Sequence, residues 1–305
     1  MILVVSHKDD YTTDYIINKL NNQNHSYKRL NTEDIGSEHH VLVRYNKTKN
    51  ISIDGINEFN SVWFRRTAIS RNSLLTNSKE KFHERDFRLF LKSLWRDLKV
   101  KKWLSYPDFI GKAENKLLQL ELANELGFLI PDTIITTNQS ELKKFYTSYK
   151  KGVVIKPLFG GRYFDETSKK VIFTNRFDIS QLEQNNHSIF PIIFQEEIKK
   201  IYEIRVTVVD NQVFSAKIKS QQNKNPKMDW RNQSNEIESY QLPLLYEKKC
   251  IELTKSLKLN FGAIDLIKTE NGYVFLEINP NGQWVWIESN TGLNISDAII
   301  HFLSQ

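Results

Sequence analysis

A single cysteine, Cys250, leaves no partner for an intrachain disulfide and no cysteine cluster for a metal, which fits a reducing compartment. The 7 histidines show no H-x-x-x-H or H-E-x-x-H spacing, so a helical zinc site of that kind is excluded and His39-His40 reads as a surface pair. The opening apolar run is too short for a secretory signal, and no segment approaches the ~20 apolar residues of a membrane span. The expectation is a cytoplasmic protein with no membrane partner. No G-x-G-x-x-G follows the first strand, which removes the usual dinucleotide fingerprint, and no internal repeat or low-complexity tract is found.

What the chain does carry is an excess of positive charge, 43 Lys and Arg against 36 Asp and Glu, for a net +7. That excess suits a nucleoside triphosphate, a nucleic acid or an acidic peptide. Along KEKFHERDFRLFLKSLWRDLK, however, bases alternate with acids, so no contiguous basic face forms and no nucleic-acid partner is expected. With 305 residues, two or three domains around a large core are expected.

MILVVS reads as a buried strand, DDYTTDYIINKLNN as a helix and HSYKRLN as a second strand, a βα start of an α/β domain. HVLVRYN, NISIDG and SVWFRR are further strands. Between Lys79 and Lys99, Phe82, Phe87, Phe90, Leu91, Leu94, Trp95 and Leu98 recur at helical spacing, which predicts a long amphipathic helix with its aromatics in the core. Pro107 breaks the pattern and marks a boundary; GKAENKLLQLELANELG then reads as one helix stopped by Gly127 and Pro131.

Beyond Pro131 a series of strands carries polar residues at regular offsets. GVVIK ends at Lys156-Pro157 and is followed by Gly160-Gly161, either a simple turn or a loop whose N–H groups close over phosphates. IIFQEEIKKIYEIRVTVVDNQVFSAKIKS gives three strands, the last two joined across Asp210-Asn211. FGAIDLIKTENGYVFLEINPNGQ gives a final pair. A two-residue Asn271-Gly272 loop would put Asp265 and Glu277 on opposite faces; a three-residue loop Glu270-Asn271-Gly272 pairs Thr269 with Tyr273 and sets Asp265 across from Glu277. Asp265, Glu277 and Asn279 then converge, and opposed carboxylates on one face call for a hard cation such as Mg²⁺. Mg²⁺ implies a phosphate donor, for which Lys156, Lys217 and Lys219 are candidate cations or simply solvated edge residues.

These residues resemble the ATP-grasp superfamily from about Gly111 onward. The resemblance implies α/β and α+β architecture: a Rossmann-like pre-ATP-grasp domain at 1–108, a central subdomain at 109–195 and a C-terminal subdomain with the metal site at 196–305. It implies ATP held by Lys116, Lys156, Gly160, Gly161, the hinge Gln195, Glu196, Glu197 and Ile198, the ribose-binding Glu203, and Lys217, with Mg²⁺ on Asp265, Glu277 and Asn279. Glu197 departs from the aromatic that related hinges often carry. WFRR at Trp63 to Arg66, KAENKLLQLELANELGFLIPDT, DWR at Asp229 to Arg231 and FLEINPNGQW are similar to the graspetide (omega-ester peptide) ligases, and the opening MILVVSHKDDYTTD to their grasp-with-spasm branch. That resemblance implies a cytoplasmic, commonly homodimeric maturase. Its partner would be a ribosomal precursor peptide, with a leader bound near the hairpin GRYFDETSKKVIFTN and a core whose Asp or Glu side chains are phosphorylated and joined to Ser, Thr or Lys. Arg205 and Arg231 would face the developing negative charge, and Asp229 would orient Arg231 or take the nucleophile's proton, unless the DWR pair is simply a surface one. Arg65 and Arg66 either hold the acidic core or end a strand. A ligase adding free amino acids to a peptide or small acid is the rival reading.

Overall fold

The computed structural model of the chain describes residues 1–68, 78–149, 152–158, 162–165, 168–171, 174–180, 191–219 and 236–305. The N-terminal third builds a parallel sheet from β1 (Ile2–Ser6), β2 (Tyr27–Asn31), β5 (Glu58–Phe64) and β6 (Lys99–Trp103), in the order β2-β1-β5-β6. All five residues of β1 are buried, as a parallel strand covered on both faces requires. Helix α1 (Tyr11–Asn22) starts where the Asp10 carboxylate accepts from the Thr12 N–H. A hairpin, β3 (Val41–Tyr45) and β4 (Lys49–Ile53), stands beside the sheet. Helix α2 (Ser78–Asp97) buries Leu91, Leu94 and Trp95 against Leu3, Val5 and Phe59. Phe82 does not follow the expected pattern; it lies a full turn and more before the buried stripe and is exposed, as is Leu89.

The single helix expected after Pro107 is two. Helix α3 (Pro107–Ala113) stops at Glu114, and α4 (Lys116–Glu125) begins with the Asn115 carboxamide accepting from the N–H groups of Leu117 and Leu118. Both pack on the C-terminal sheet, so residues 109–125 share its core rather than that of the small central sheet. The latter comprises β7 (Thr133–Ile135), β8 (Val153–Lys156), β11 (Asn175–Arg176) and β12 (Ile193–Glu196), ordered β11-β8-β12-β7 and backed by α5 (Gln139–Ser148). β9 (Arg162–Asp165) and β10 (Ser168–Val171) pair with each other as expected.

The C-terminal sheet is antiparallel, ordered β15-β14-β13-β16-β17 among the described residues: β13 (Tyr202–Val209), β14 (Gln212–Lys219), β15 (Glu236–Ser239), β16 (Phe261–Thr269) and β17 (Gly272–Asn279). One face, with Ile204, Val206, Ile264 and Phe275, is covered by α3, α4 and α6 (Leu244–Ser256). At the end of the other face, Val209, Ala216 and Phe261 join α7 (Val285–Thr291), α8 (Ile295–Ser304) and residues of β1 and α1 in one core. Alternation along each strand therefore decides which polar side chains reach the same side.

Candidate active site

Asp265 does sit directly across from Glu277, but not through the loop expected from the sequence. The turn holds two residues, Glu270 and Asn271, with Thr269 paired to Gly272 at φ +134. Continued without interruption, that register would oppose Asp265 to Leu276. The register shifts between Leu266 and Asp265, so Leu276 is the extra residue of a β-bulge and Glu277 returns to Asp265's face. Asn279, two residues on, shares that face; its Oδ1 accepts from the Asn281 N–H at 3.1 Å.

The neighbours of these acids are cations. Arg205, opposite Asp265 on β13, places Nη1 2.7 and 2.8 Å from its two oxygens. Lys116 Nζ, at the first turn of α4, lies 3.2 Å from Glu277 Oε2. Lys156 ends β8 with 8% of its surface exposed. Burial pushes its ammonium below the ordinary lysine value; Glu277 and Asp265 act against that shift and Lys116 adds to it. About a third of each side chain, 34% for Asp265 and 35% for Glu277, remains exposed. Burial raises the Asp265 carboxyl above the usual carboxylate range despite Arg205, and the Glu277 charge adds to the rise. Burial works in the same sense on Glu277, but Lys116 and Lys156 outweigh it and hold that group low. The two acids thus differ in electrostatic environment, as functional carboxylate pairs commonly do. Two opposed carboxylates and a carboxamide oxygen form a hard-oxygen donor set suited to Mg²⁺.

Lys217 is not part of this cluster. The two-residue Asp210-Asn211 turn pairs Arg205 with Ala216 and Ile204 with Lys217, which turns the lysine to the opposite face. There it bonds Glu238 at 3.0 Å and lies 4.7 Å from the Tyr202 ring centroid. Glu203, two residues before Arg205, stays on the acid-bearing face and pairs with Lys200. On the central sheet, Gln195 and Lys156 share one face, since Gln195 pairs with Val154 and Ile193 with Lys156. Gln195 Nε2 donates to Thr133 Oγ1 at 2.9 Å. Glu196 points the other way, where its Oε1 accepts from the Asp132 N–H at 3.0 Å; Glu197 pairs with Arg176, and Ile198 is half-buried. Gly160, Gly161, Asp229 and Arg231 lie outside the described residues.

Arg65 is neither a free contact nor a solvated strand end. Its side chain is buried between domains: Nη1 donates to the Asn281 carbonyl, and Nε lies 3.7 Å from Asp10 Oδ2. Burial lowers its pKa to about 10, with Arg66 adding to the shift and Asp10 opposing it. Arg66 is half-buried and acts electrostatically on Glu114, whose carboxyl is raised by burial. The loop after Asn279 is also gripped from the other side, where Arg205 Nη2 donates to the Gln283 carbonyl at 3.3 Å and Thr12 Oγ1 to Gln283 Oε1 at 2.5 Å. Gly282 fits there because a Cβ would sit 2.8 Å from Arg205 Nη2 and closer still to Ala263. Nothing short of the tertiary contacts marks Thr12 or Gln283 as neighbours of the site.

A family model described as the RimK-like ATP-grasp domain matches residues 113–303. The chain is 27% identical over 208 residues to the tetrahydromethanopterin:alpha-L-glutamate ligase of Methanocaldococcus jannaschii, covering 65% of this chain and 69% of that one. It is 23% identical to a probable alpha-L-glutamate ligase of Histophilus somni, covering 64% of each. Among solved structures, the macrocyclase MdnC bound with precursor peptide MdnA, from Microcystis aeruginosa, superposes with TM-score 0.85 at 30% identity over 100% of this chain and 99% of that one. A Chryseobacterium gregarium RiPP-associated ATP-grasp ligase, in complex with ADP and a leader and core peptide, gives TM-score 0.84 at 26% identity over 99% and 96%.

Proposed function

The chain belongs to the RimK-like ATP-grasp domain family, and from that premise we propose that it is an ATP-dependent peptide macrocyclase. It phosphorylates Asp or Glu side chains of a ribosomally made precursor peptide and joins them to Ser or Thr hydroxyls, or Lys amines, of the same peptide. The observation that carries this reading is the closeness of a full-length match. The match to the peptide-bound macrocyclase runs the whole length of the chain, N-terminal sheet included, at TM-score 0.85 and 30% identity, whereas a D-alanine–D-alanine ligase superposed over 99% of it reaches only 0.57 at 16%.

A carboxylate is a poor electrophile at neutral pH. Transfer of the terminal phosphoryl group to it leaves ADP and an acyl phosphate. Attack by the hydroxyl or amine at the acyl carbon then releases inorganic phosphate, the nucleophile's proton passing to a base for which Asp229 is the candidate. Asp265, Glu277 and Asn279 would hold Mg²⁺, which would supply charge neutralisation at the phosphates. Lys116 and Lys156 would face the phosphates, and the backbone N–H groups of Gly160 and Gly161 are further candidates to bind them. Arg205 already holds both oxygens of Asp265 through Nη1 and is therefore poised at the same charges, and Arg231 is the further candidate to stabilise the oxyanion. The segment Gln195 to Ile198 borders the nucleotide base and Glu203 the ribose. The leader docks near the β9–β10 hairpin. The exposed Phe82 and Leu89 of α2 support a homodimer through that helix, and the lone cysteine supports a reducing cytoplasm. No helix among the described residues is long and apolar enough to cross a membrane.

The test is product mass after incubation with ATP, Mg²⁺ and the precursor peptide. Each link removes one water. A gain of an amino-acid mass would instead support the free-amino-acid ligase, and an unaltered peptide would overturn the macrocyclase. Glu277→Gln should leave the peptide untouched while its circular dichroism matches that of the parent.

A further inference from the structure

We propose that Gln119 is a positioning residue for the acid-bearing strand, standing in for a missing sixth strand at the outer edge of the C-terminal sheet. Among the described residues strand β17 is that edge, and an edge strand exposes backbone groups that need partners. At Phe275 the partner is main chain, the N–H donating to the Leu129 carbonyl at 2.8 Å. At Ile278, between Glu277 and Asn279, it is the Gln119 side chain. Oε1 accepts from the Ile278 N–H at 3.1 Å and Nε2 donates to the Ile278 carbonyl at 2.9 Å, as a neighbouring strand would. The second Nε2 hydrogen goes to the Ala113 carbonyl at the end of α3, at 2.6 Å.

Every hydrogen of the carboxamide is used, and the side chain is 2% exposed. No other side chain fits: leucine has neither donor nor acceptor, glutamate loses both donors, and asparagine is a methylene short. Gln119 also lies one turn after Lys116 on the same face of α4. The helix that presents an ammonium to Glu277 is therefore pinned to the next residue of Glu277's own strand, fixing both partners of that ion pair at once. The direction of the Glu277 and Asn279 side chains depends on the Ile278 peptide plane, so a residue touching neither oxygen sets where the cation's ligands point.

The role in the reaction rests on the macrocyclase reading, but the edge contact does not, and the experiment separates them. In full-length Gln119→Leu, hydrogen exchange across residues 272–282 should lose protection at Ile278 by at least about tenfold, the folded state remaining populated. The Mg²⁺ concentration for half-maximal binding of a fluorescent ATP analogue should rise by roughly 10–100-fold, the range that loss of a ligand-orienting partner produces. Gln119→Asn, which keeps the amide and the fold, should shift both readouts in the same direction. Exchange protection unchanged in both variants overturns the edge contact. Protection lost or melting lowered with an unmoved Mg²⁺ midpoint makes Gln119 merely structural and overturns the positioning role. A parent protein with no Mg²⁺-dependent nucleotide uptake defeats the macrocyclase reading instead.

Discussion

Gly282 allows a sharp test of how the loop after Asn279 controls the acids. A Cβ added there lands well inside 3.0 Å of the Ala263 Cβ and 2.8 Å from Arg205 Nη2. An ordinary carbon contact needs ~3.5–4.0 Å, so the loop or the arginine must move by about 1 Å. Overpacking of this kind costs about 1–3 kcal/mol, which Gly282→Ala should show as a fall of a few degrees in melting temperature. Activity should suffer more. Arg205 donates through Nη1 to both oxygens of Asp265 and through Nη2 to Gln283, so the displacement is passed directly to the acid pair. A misplacement of about 1 Å commonly costs on the order of 10²-fold in turnover. Adding Ala263→Gly removes the opposing methyl but not the 2.8 Å approach to Arg205 Nη2, so the double variant should recover part of the activity despite the ~0.5–1 kcal/mol that a glycine costs a strand interior. Differential scanning calorimetry and ADP release with peptide measure both effects. Wild-type melting and turnover in Gly282→Ala, or a double variant no better than the single one, would refute the reasoning.

Lys156→Met should abolish ATP turnover yet leave melting unchanged or raised, because burial already disfavours the ammonium that the substitution removes; calorimetry beside a turnover assay checks it. Glu288 ties the C-terminal helices to α1, accepting from the Ser296 N–H at 2.7 Å and from Lys19 at 3.1 Å. Burial acts to raise its carboxyl, but Ser296 and Lys19 outweigh that and hold it low. A depressed carboxylate contributes stability above its unfolded pKa, near ~4.3, and loses it as pH falls through the folded value. The melting gap between the parent and Glu288→Gln should therefore be widest near neutrality and close below about pH 4, and a gap constant with pH would refute this.

Much of the site was legible because alternation along strands is strict. The opposition of Asp265 and Glu277 followed from a spacing test, although by the wrong route: a glycine ending the turn reads alike in both loops, and Leu276 carries no mark of a bulge. The displacement of Lys217 is legible in the sequence, since a two-residue turn at Asp210-Asn211 already places it out of phase with Arg205. The break between α3 and α4 likewise had its signal in Asn115, a favoured capping residue inside an otherwise continuous pattern. Arg65, Thr12 and Gln119 had none, because each acts on a segment more than 150 positions away, at Asn281, Gln283 and Ile278. Only tertiary packing creates those partnerships.

Because the bulge lies inside β17 rather than in its turn, the tip of the hairpin and the acid pair are insulated from each other. Any two-residue connector can replace Glu270 and Asn271 without rotating Glu277, so the tip is free to diversify. Removing Leu276 alone would take out the bulge and the local bend it makes, yet leave Glu277 directly after Phe275 and still across from Asp265.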